Sequence, residues 1–154
     1  MKTENRLSSR YSLKYEKLFF DLLFKKFRIT KNQTLDIGCG SGFFTSLLDE
    51  MGFDVCGLDL DLQNIKDAFK KYHSDFLVAN SKNPPFSKNS FDLILSRGLS
   101  TFYPDNIENA SEQKKILLDL LKIGGVLVFI KQVIFLAKEH TSKIMKLKIS
   151  YHFL

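Results

Sequence analysis

The chain has 154 residues, of which 44% are hydrophobic and 26% charged, and it carries a formal net charge of +6. These values are typical of one folded domain with a buried core, and they exclude a fibrous or disordered chain. The longest apolar run, from Val126 to Ala137, is interrupted by Lys131 and Gln132, so no membrane span is expected. The start of the chain is charged and lacks an apolar segment, which predicts that it is not a signal peptide.

Basic residues are concentrated at the two ends of the chain. Residues 1–33 contain nine Lys or Arg and three acids, residues 34–130 nine and thirteen, and residues 131–154 five and one. Such basic ends could approach an acidic partner such as nucleic acid (RNA) or a membrane surface, but a solvated helix face is the commoner explanation of this composition. Cys39 and Cys56 do not read as a planned disulfide, which is typical of a protein in a reducing cytoplasm.

The first predicted element is a helix from Ser9 to about Arg28. Apolar residues recur there at the spacing of one helix face, at Leu13, Leu18, Phe19, Leu22, Leu23 and Phe27. Ser8 or Ser9 is a candidate cap. We describe residues 1–32 as an N-terminal helical cover, residues 33–131 as an α/β core and residues 132–154 as a basic tail.

Residues 34–48, TLDIGCGSGFFTSLL, pass from a strand pattern through a glycine-rich turn into a helix pattern. Free N–H groups at such a helix start favour an anionic group. The spacing fails the dinucleotide pattern G-x-G-x-x-G, because Phe43 or Thr45 stands where the third glycine would be, and no Lys follows to make a phosphate loop. What remains is acidic-x-G-x-G-x-G, formed by Asp36, Gly38, Gly40 and Gly42.

This pattern resembles motif I of the class I S-adenosylmethionine-dependent methyltransferases. The resemblance implies that S-adenosylmethionine lies over the glycine turn and that Asp36 serves its ammonium group. It assigns the ribose hydroxyls to Asp59, at the end of the second strand, rather than to Asp61, which is equally suited to cap the next helix. It assigns adenine to Asn80, where relatives carry Asp, and to the adjacent Ser81. The other cofactor-binding positions that we assign are Cys39, Leu60, Ser96 and Tyr11.

The rest of the chain alternates between strand and helix patterns. The predicted elements are a strand at 54–58, a helix from about Leu62, a strand at 74–79, a strand at 91–96, a helix at 109–122 and, after Gly124 and Gly125, a strand at 126–130. This order predicts an α/β fold with a Rossmann-like, doubly wound, mostly parallel sheet that binds ligands at the carboxyl ends of its strands.

The tetrapeptide NPPF at residues 83–86 has the sequence with which amino-methyltransferases hold a target nitrogen. In those enzymes it follows the fourth strand, whereas here it precedes that strand. Its spacing to Phe91 and Asp92 is similar instead to a pattern of small-molecule methyltransferases, so we interpret it as a packing element of the loop. We expect a small-molecule acceptor and no metal site, and the sequence predicts no catalytic base.

Only 24 residues follow the fifth strand, too few for the helix and two strands that complete the sheet in the family. We therefore expect the C-terminal antiparallel hairpin to be incomplete. A fifth strand left at the edge would lead to oligomers, unless Lys143, Lys146 and Lys148 oppose the pairing by charge. Two alternatives stay open: an RNA or protein methyltransferase, favoured by the basic ends, and a truncated or non-catalytic cofactor-binding domain, favoured by the short tail.

Overall fold

The computed structural model describes residues 13–30, 32–97, 107–130 and 149–153. The helices are α1 (Leu13–Phe27), α2 (Phe43–Glu50), α3 (Leu62–Lys71) and α4 (Ile107–Leu120). The strands are β1 (Gln33–Ile37), β2 (Asp54–Asp59), β3 (Asp75–Val78), β4 (Phe91–Arg97), β5 (Leu121–Ile130) and β6 (Ile149–Phe153). None of the helices in these ranges has the length and apolar character needed to cross a membrane.

The chain divides into two compact units, Met1–Lys31 and Asn32–Leu154. The first unit contains α1, where the rings of Phe20 and Phe24 stack with centroids 5.4 Å apart. The predicted helix is therefore present from Leu13 onward, whereas its candidate caps lie outside the described residues. The proposed division into cover, core and tail stays a prediction.

The second unit contains a six-stranded sheet in the order β3-β2-β1-β4-β5-β6. The first five strands pair in parallel, and β6 pairs antiparallel with β5. The predicted Rossmann-like, mostly parallel fold is confirmed. The strand order reverses between β1 and β4, and the crevice at the carboxyl ends of these strands is where open α/β sheets bind ligands.

Buried side chains of β1, β2, β4, β5 and α4 form one apolar cluster. Phe86, from the tetrapeptide at residues 83–86, packs against this cluster, and its ring meets that of Phe91 edge-on at 5.0 Å. The contacts of Phe86 agree with the interpretation of the tetrapeptide as a packing element of the loop before β4. A second buried cluster contains Cys39, Ile65, Ala68 and Phe76, which connects the glycine turn to α3 and β3.

The end of the chain corrects one prediction. We expected β5 at the edge of the sheet, but β6 pairs with it from Ile130 opposite Ile149 to Val126 opposite Phe153. A five-residue antiparallel strand is enough to pair with the backbone groups of β5, without the helix and second strand on which the prediction rested. Residues 131–148, with the three lysines invoked against pairing, lie outside the described residues.

The boundary between α4 and β5 also differs from the prediction. The strand begins at Leu121, directly after the helix, and not after the two glycines. Leu121 pairs with Phe91 and Val126 pairs with Leu93, so residues 122–125 bulge out of the strand. Gly124 supplies the positive φ of +80° within this bulge.

Candidate functional site

The turn at residues 38–42 connects β1 to α2 at the carboxyl edge of the sheet. Its glycines, Gly38, Gly40 and Gly42, all have positive φ, at 76°, 55° and 83°. The backbone N–H groups of Gly38 and Cys39 both donate to the carbonyl oxygen of Leu58 on β2, at 2.7 and 3.0 Å. The local structure is the strand, tight turn and helix start that the sequence predicted.

Two of these glycines have different surroundings. A Cβ atom at Gly40 would have no heavy atom within 4 Å, so the space beside this residue is open. A Cβ atom at Gly42 would lie 2.6 Å from Cζ of Phe76 and 2.9 Å from Cβ of Ala68. Gly42 is therefore needed for packing against β3 and α3, whereas Gly40 borders a space that a ligand can occupy.

Asp36 lies beneath the turn and is only 1% exposed. Its Oδ2 accepts a hydrogen bond of 2.7 Å from Oγ1 of Thr45, a contact that the sequence did not reveal. Burial raises the pKa of Asp36 from 3.8 to about 6, while hydrogen bonds from Thr45 and the charge of Arg97 oppose this rise. Because Thr45 is in the first turn of α2 and the cap residue Gly42 has no side chain, the carboxylate of Asp36 also stabilises the helix start.

Asp59 ends β2 with its carboxylate directed at the glycine turn. Oδ2 accepts a hydrogen bond of 2.8 Å from the N–H of Gly40, and Oδ1 accepts one of 2.9 Å from the N–H of Asp61. The side chain of Asp61 accepts instead from the backbone N–H groups of Gln63 and Asn64, as the cap of α3. The structure thus brings Asp59, and not Asp61, to the glycine turn.

The turn after β3 contains Asn80 and Ser81. Oδ1 of Asn80 accepts a hydrogen bond of 2.9 Å from the N–H of Lys82. Ser81 is held by Gln113 of α4, whose Nε2 donates to the Ser81 carbonyl oxygen at 2.7 Å. Sequence analysis missed Gln113, because a glutamine in an amphipathic helix pattern is usually assigned to the solvent face.

The end of β4 contributes Ser96 and Arg97. Ser96 pairs with Ile37 of β1 and is 2% exposed, and its hydroxyl has no hydrogen-bond partner among the described residues. Cζ of Arg97 lies 4.0 Å from the centroid of the Phe44 ring. A buried hydroxyl and a cation therefore lie where the strand order reverses, and the sequence analysis did not assign Arg97 to the site.

The remaining predicted positions have varied surroundings. Cys39 is buried, and burial raises the pKa of its thiol. The group therefore stays protonated at neutral pH and is not suited to act as a nucleophile. Leu60 is exposed beside Asp59. Tyr11 lies outside the described residues, as does the loop at residues 98–106. Within the described ranges no group of three or more His, Cys, Asp or Glu side chains is placed to hold a metal ion.

Residues 35–129 match the sequence profile of a family described as "Methyltransferase domain". The chain belongs to this methyltransferase family. Together with a structural neighbour described as a SAM-dependent methyltransferase, this match confirms the family resemblance inferred from motif I, and S-adenosylmethionine is the implied cofactor. One neighbour, from Methanosarcina mazei, is 27% identical with a TM-score of 0.62, over 70% of this chain and 56% of that one. Another, from Clostridium acetobutylicum, has a TM-score of 0.67 at 22% identity, over 80% of this chain and 52% of that one, and shows the fold alone.

Two curated relatives are called malonyl-[acyl-carrier protein] O-methyltransferase. The protein of Enterobacter lignolyticus is 32% identical over 98 residues, which are 63% of this chain and 38% of that protein. The protein of Hamiltonella defensa is 30% identical over 105 residues, which are 66% of this chain and 38% of that protein. This methyltransferase domain thus spans well under half the length of the curated relatives that it matches.

Proposed function

We propose that this domain binds S-adenosylmethionine over Gly40 and transfers the methyl group to a small-molecule acceptor. The observation that carries the proposal is the open space at Gly40, bordered by the carboxylate of Asp59 at the turn. Buried polar groups of β1 and β4 lie at the same edge, at Asp36 and Ser96. Ligands of open α/β sheets bind at this edge, where the strand order reverses.

The described side chains fit the parts of the cofactor. Asp36 supplies a carboxylate for the ammonium group, and the orphan hydroxyl of Ser96 supplies a hydrogen-bonding group at the same end. Asp59 accepts hydrogen bonds from the N–H groups of Gly40 and Asp61, and its Oδ1 also accepts a long bond of 3.4 Å from Nδ2 of Asn64. A carboxylate has about four acceptor sites, so one site remains for a ribose hydroxyl, and a second becomes available if the ribose displaces the long bond from Asn64.

The amide of Asn80 is oriented by the N–H of Lys82, and the carbonyl oxygen retains a second lone pair for the amine of adenine. An amide turned the other way would place its NH₂ group against this N–H. The orientation therefore favours a base that donates a hydrogen bond at this position.

When bound, S-adenosylmethionine supplies an activated methyl group on a positively charged sulfur. The residues of the chain hold and orient the two reactants, because methyl transfer requires the acceptor to lie in line with the bond that breaks. Arg97 lies at the end of β4, next to β1, and its charge stabilises ionised Asp36. The names of the two curated relatives favour an acyl carboxylate as acceptor, and a guanidinium at this edge would attract such an anion.

Isothermal titration with S-adenosylhomocysteine tests the cofactor site, with Asp59→Ala as the variant and Asp61→Ala as its matched control. The Asp59→Ala variant should bind S-adenosylhomocysteine about 10- to 100-fold more weakly, because hydrogen bonds to a charged group are lost. Asp61→Ala should lower thermal stability through loss of a helix cap, at a cost of about 1 kcal/mol, and leave the affinity unchanged. Normal binding by a folded Asp59→Ala variant, with a loss in Asp61→Ala, would contradict the assignment.

A transfer experiment tests the acceptor class. The protein is incubated with methyl-labelled cofactor and cell extract, which is then separated into small molecules, RNA and protein. We expect the label on a small acyl group, either free in the small-molecule fraction or attached to an acyl-carrier protein. Label in RNA or on the amino-acid side chains of a protein would support a macromolecular methyltransferase instead, and binding without transfer would support a non-catalytic domain.

A further inference from the structure

Gln113 is a buried polar residue whose side chain holds a residue distant in sequence. It is 0% exposed and lies on α4, where its neighbours in the helix include the buried Leu117 and Leu120. Its Nε2 donates to the carbonyl oxygen of Ser81 at 2.7 Å, and its Oε1 accepts from the hydroxyl of Ser81 at 3.2 Å. Burial of an amide is costly unless its polar atoms are bonded, and Ser81 bonds both ends of this one.

The residue that Gln113 holds follows directly after Asn80. The turn also lies beside the proposed ribose contact, since the N–H of Ala79 donates to the carbonyl oxygen of Asp59 at 3.0 Å. Within the turn, the bond from Lys82 orients the amide of Asn80, but it does not attach the turn to the body of the fold. The paired bonds from Gln113 attach the turn to α4, across 32 residues of sequence.

We propose that Gln113 is a positioning residue for recognition of the cofactor's base. It holds the turn at Asn80 and Ser81 so that the oriented carbonyl oxygen of Asn80 meets the exocyclic amine of adenine. Gln113 itself does not touch the cofactor. The inference rests on the proposed function and adds a residue on α4 that determines base specificity, because a hydrogen bond weakens steeply when donor and acceptor move out of line.

The test compares two ligands that differ in the group facing Asn80. S-adenosylhomocysteine carries the exocyclic amine, whereas S-inosylhomocysteine carries a carbonyl oxygen there and would face the oxygen of Asn80 with a second acceptor. The wild-type protein should prefer the adenosyl ligand by about tenfold or more, as expected for one hydrogen bond gained and one repulsion avoided. In Gln113→Met, which keeps the length of the side chain without its polar atoms, the preference should fall below about threefold while the inosyl affinity changes little.

Two further variants separate positioning from stability. Gln113→Asn keeps the amide but shortens the side chain by one methylene, so neither bond to Ser81 can form at its present distance and the preference should fall by about two- to threefold or more. An unchanged preference in this variant would also overturn the inference. This variant decides the matter if Gln113→Met does not fold. Leu117→Val removes volume from the same helix and should lower the thermal midpoint without changing the preference.

An unchanged preference in folded Gln113→Met would overturn the inference, as would an equal loss of preference in Leu117→Val. A wild-type protein that binds both ligands equally would also overturn it, since the oxygen of Asn80 would then not face the amine. Failure of the wild-type protein to bind S-adenosylhomocysteine at all would contradict the proposed function itself. The two failures are therefore distinguishable.

Discussion

Replacement of Asp36 by asparagine should make the protein more stable at neutral pH. Burial raises the pKa of this carboxyl from 3.8 to about 6, so between these pH values the folded chain binds a proton that the unfolded chain has released. The stabilising effect of the neutral carboxyl is complete below about pH 4 and is lost as the pH rises through about 6. At 1.36 kcal/mol per pH unit, the ionised carboxylate lowers the free energy of unfolding by roughly 3 kcal/mol at pH 7.5.

Asp36→Asn cannot ionise, and it avoids this cost. Its amide keeps an oxygen for the hydroxyl of Thr45 but has one acceptor atom fewer, which costs about 1 kcal/mol per lost bond. The net gain at pH 7.5 should therefore be about 1 to 2 kcal/mol, equivalent to a thermal midpoint higher by roughly 2 to 8 °C. At pH 4 the order should reverse, and the variant should be slightly less stable than the wild type.

Urea unfolding followed by circular dichroism at about pH 4.5, 5.5, 6.5 and 7.5 measures this difference. Other acids titrate over the same range, so the decisive quantity is the difference in unfolding free energy between wild type and variant at each pH. Asp75→Asn, at an exposed position on β3, is the matched control for the same substitution outside the buried site. A difference for Asp36→Asn that is constant with pH, or that favours the wild type increasingly as the pH rises, would refute the reasoning.

The other predictions concern the glycine turn and the edge of the sheet. Gly40→Ala should fold with a loss of about 1 to 2 kcal/mol from its positive φ, yet bind S-adenosylhomocysteine at least about tenfold more weakly. Normal calorimetric affinity in Gly40→Ala would show that no ligand lies beside Gly40. Gly42→Ala should lower the thermal midpoint by more than Gly40→Ala, because its Cβ would also overlap Phe76. A chain ending at Lys148 lacks β6 and exposes the apolar edge of β5, so it should associate more strongly with rising concentration in light scattering than the 154-residue chain, whose edge strand is β6. A shortened chain that remains monomeric would show that β6 does not protect this edge.

The sequence by itself determined the features of the fold that depend on residues close together in the chain. The glycines and the flanking apolar residues specify a strand, a tight turn and a helix start within residues 34–48. Asp61 caps α3 through N–H groups two and three residues away. The alternation of strand and helix patterns specified the mostly parallel sheet, because connections between parallel strands are long and consistently right-handed. These features depend on neighbours in sequence or on general rules of chain connection.

Contacts between distant residues were decided only by the tertiary structure. Gly40 and Gly42 look alike in sequence, and it is the position of Phe76 that gives Gly42 a packing role. The high pKa of Asp36 arises from burial, which no local pattern reports. The bond from Gln113 to Ser81 and the pairing of β6 with β5 likewise join residues far apart in the chain. Such contacts form because packing of complete elements removes both partners from water, so their existence depends on the whole fold.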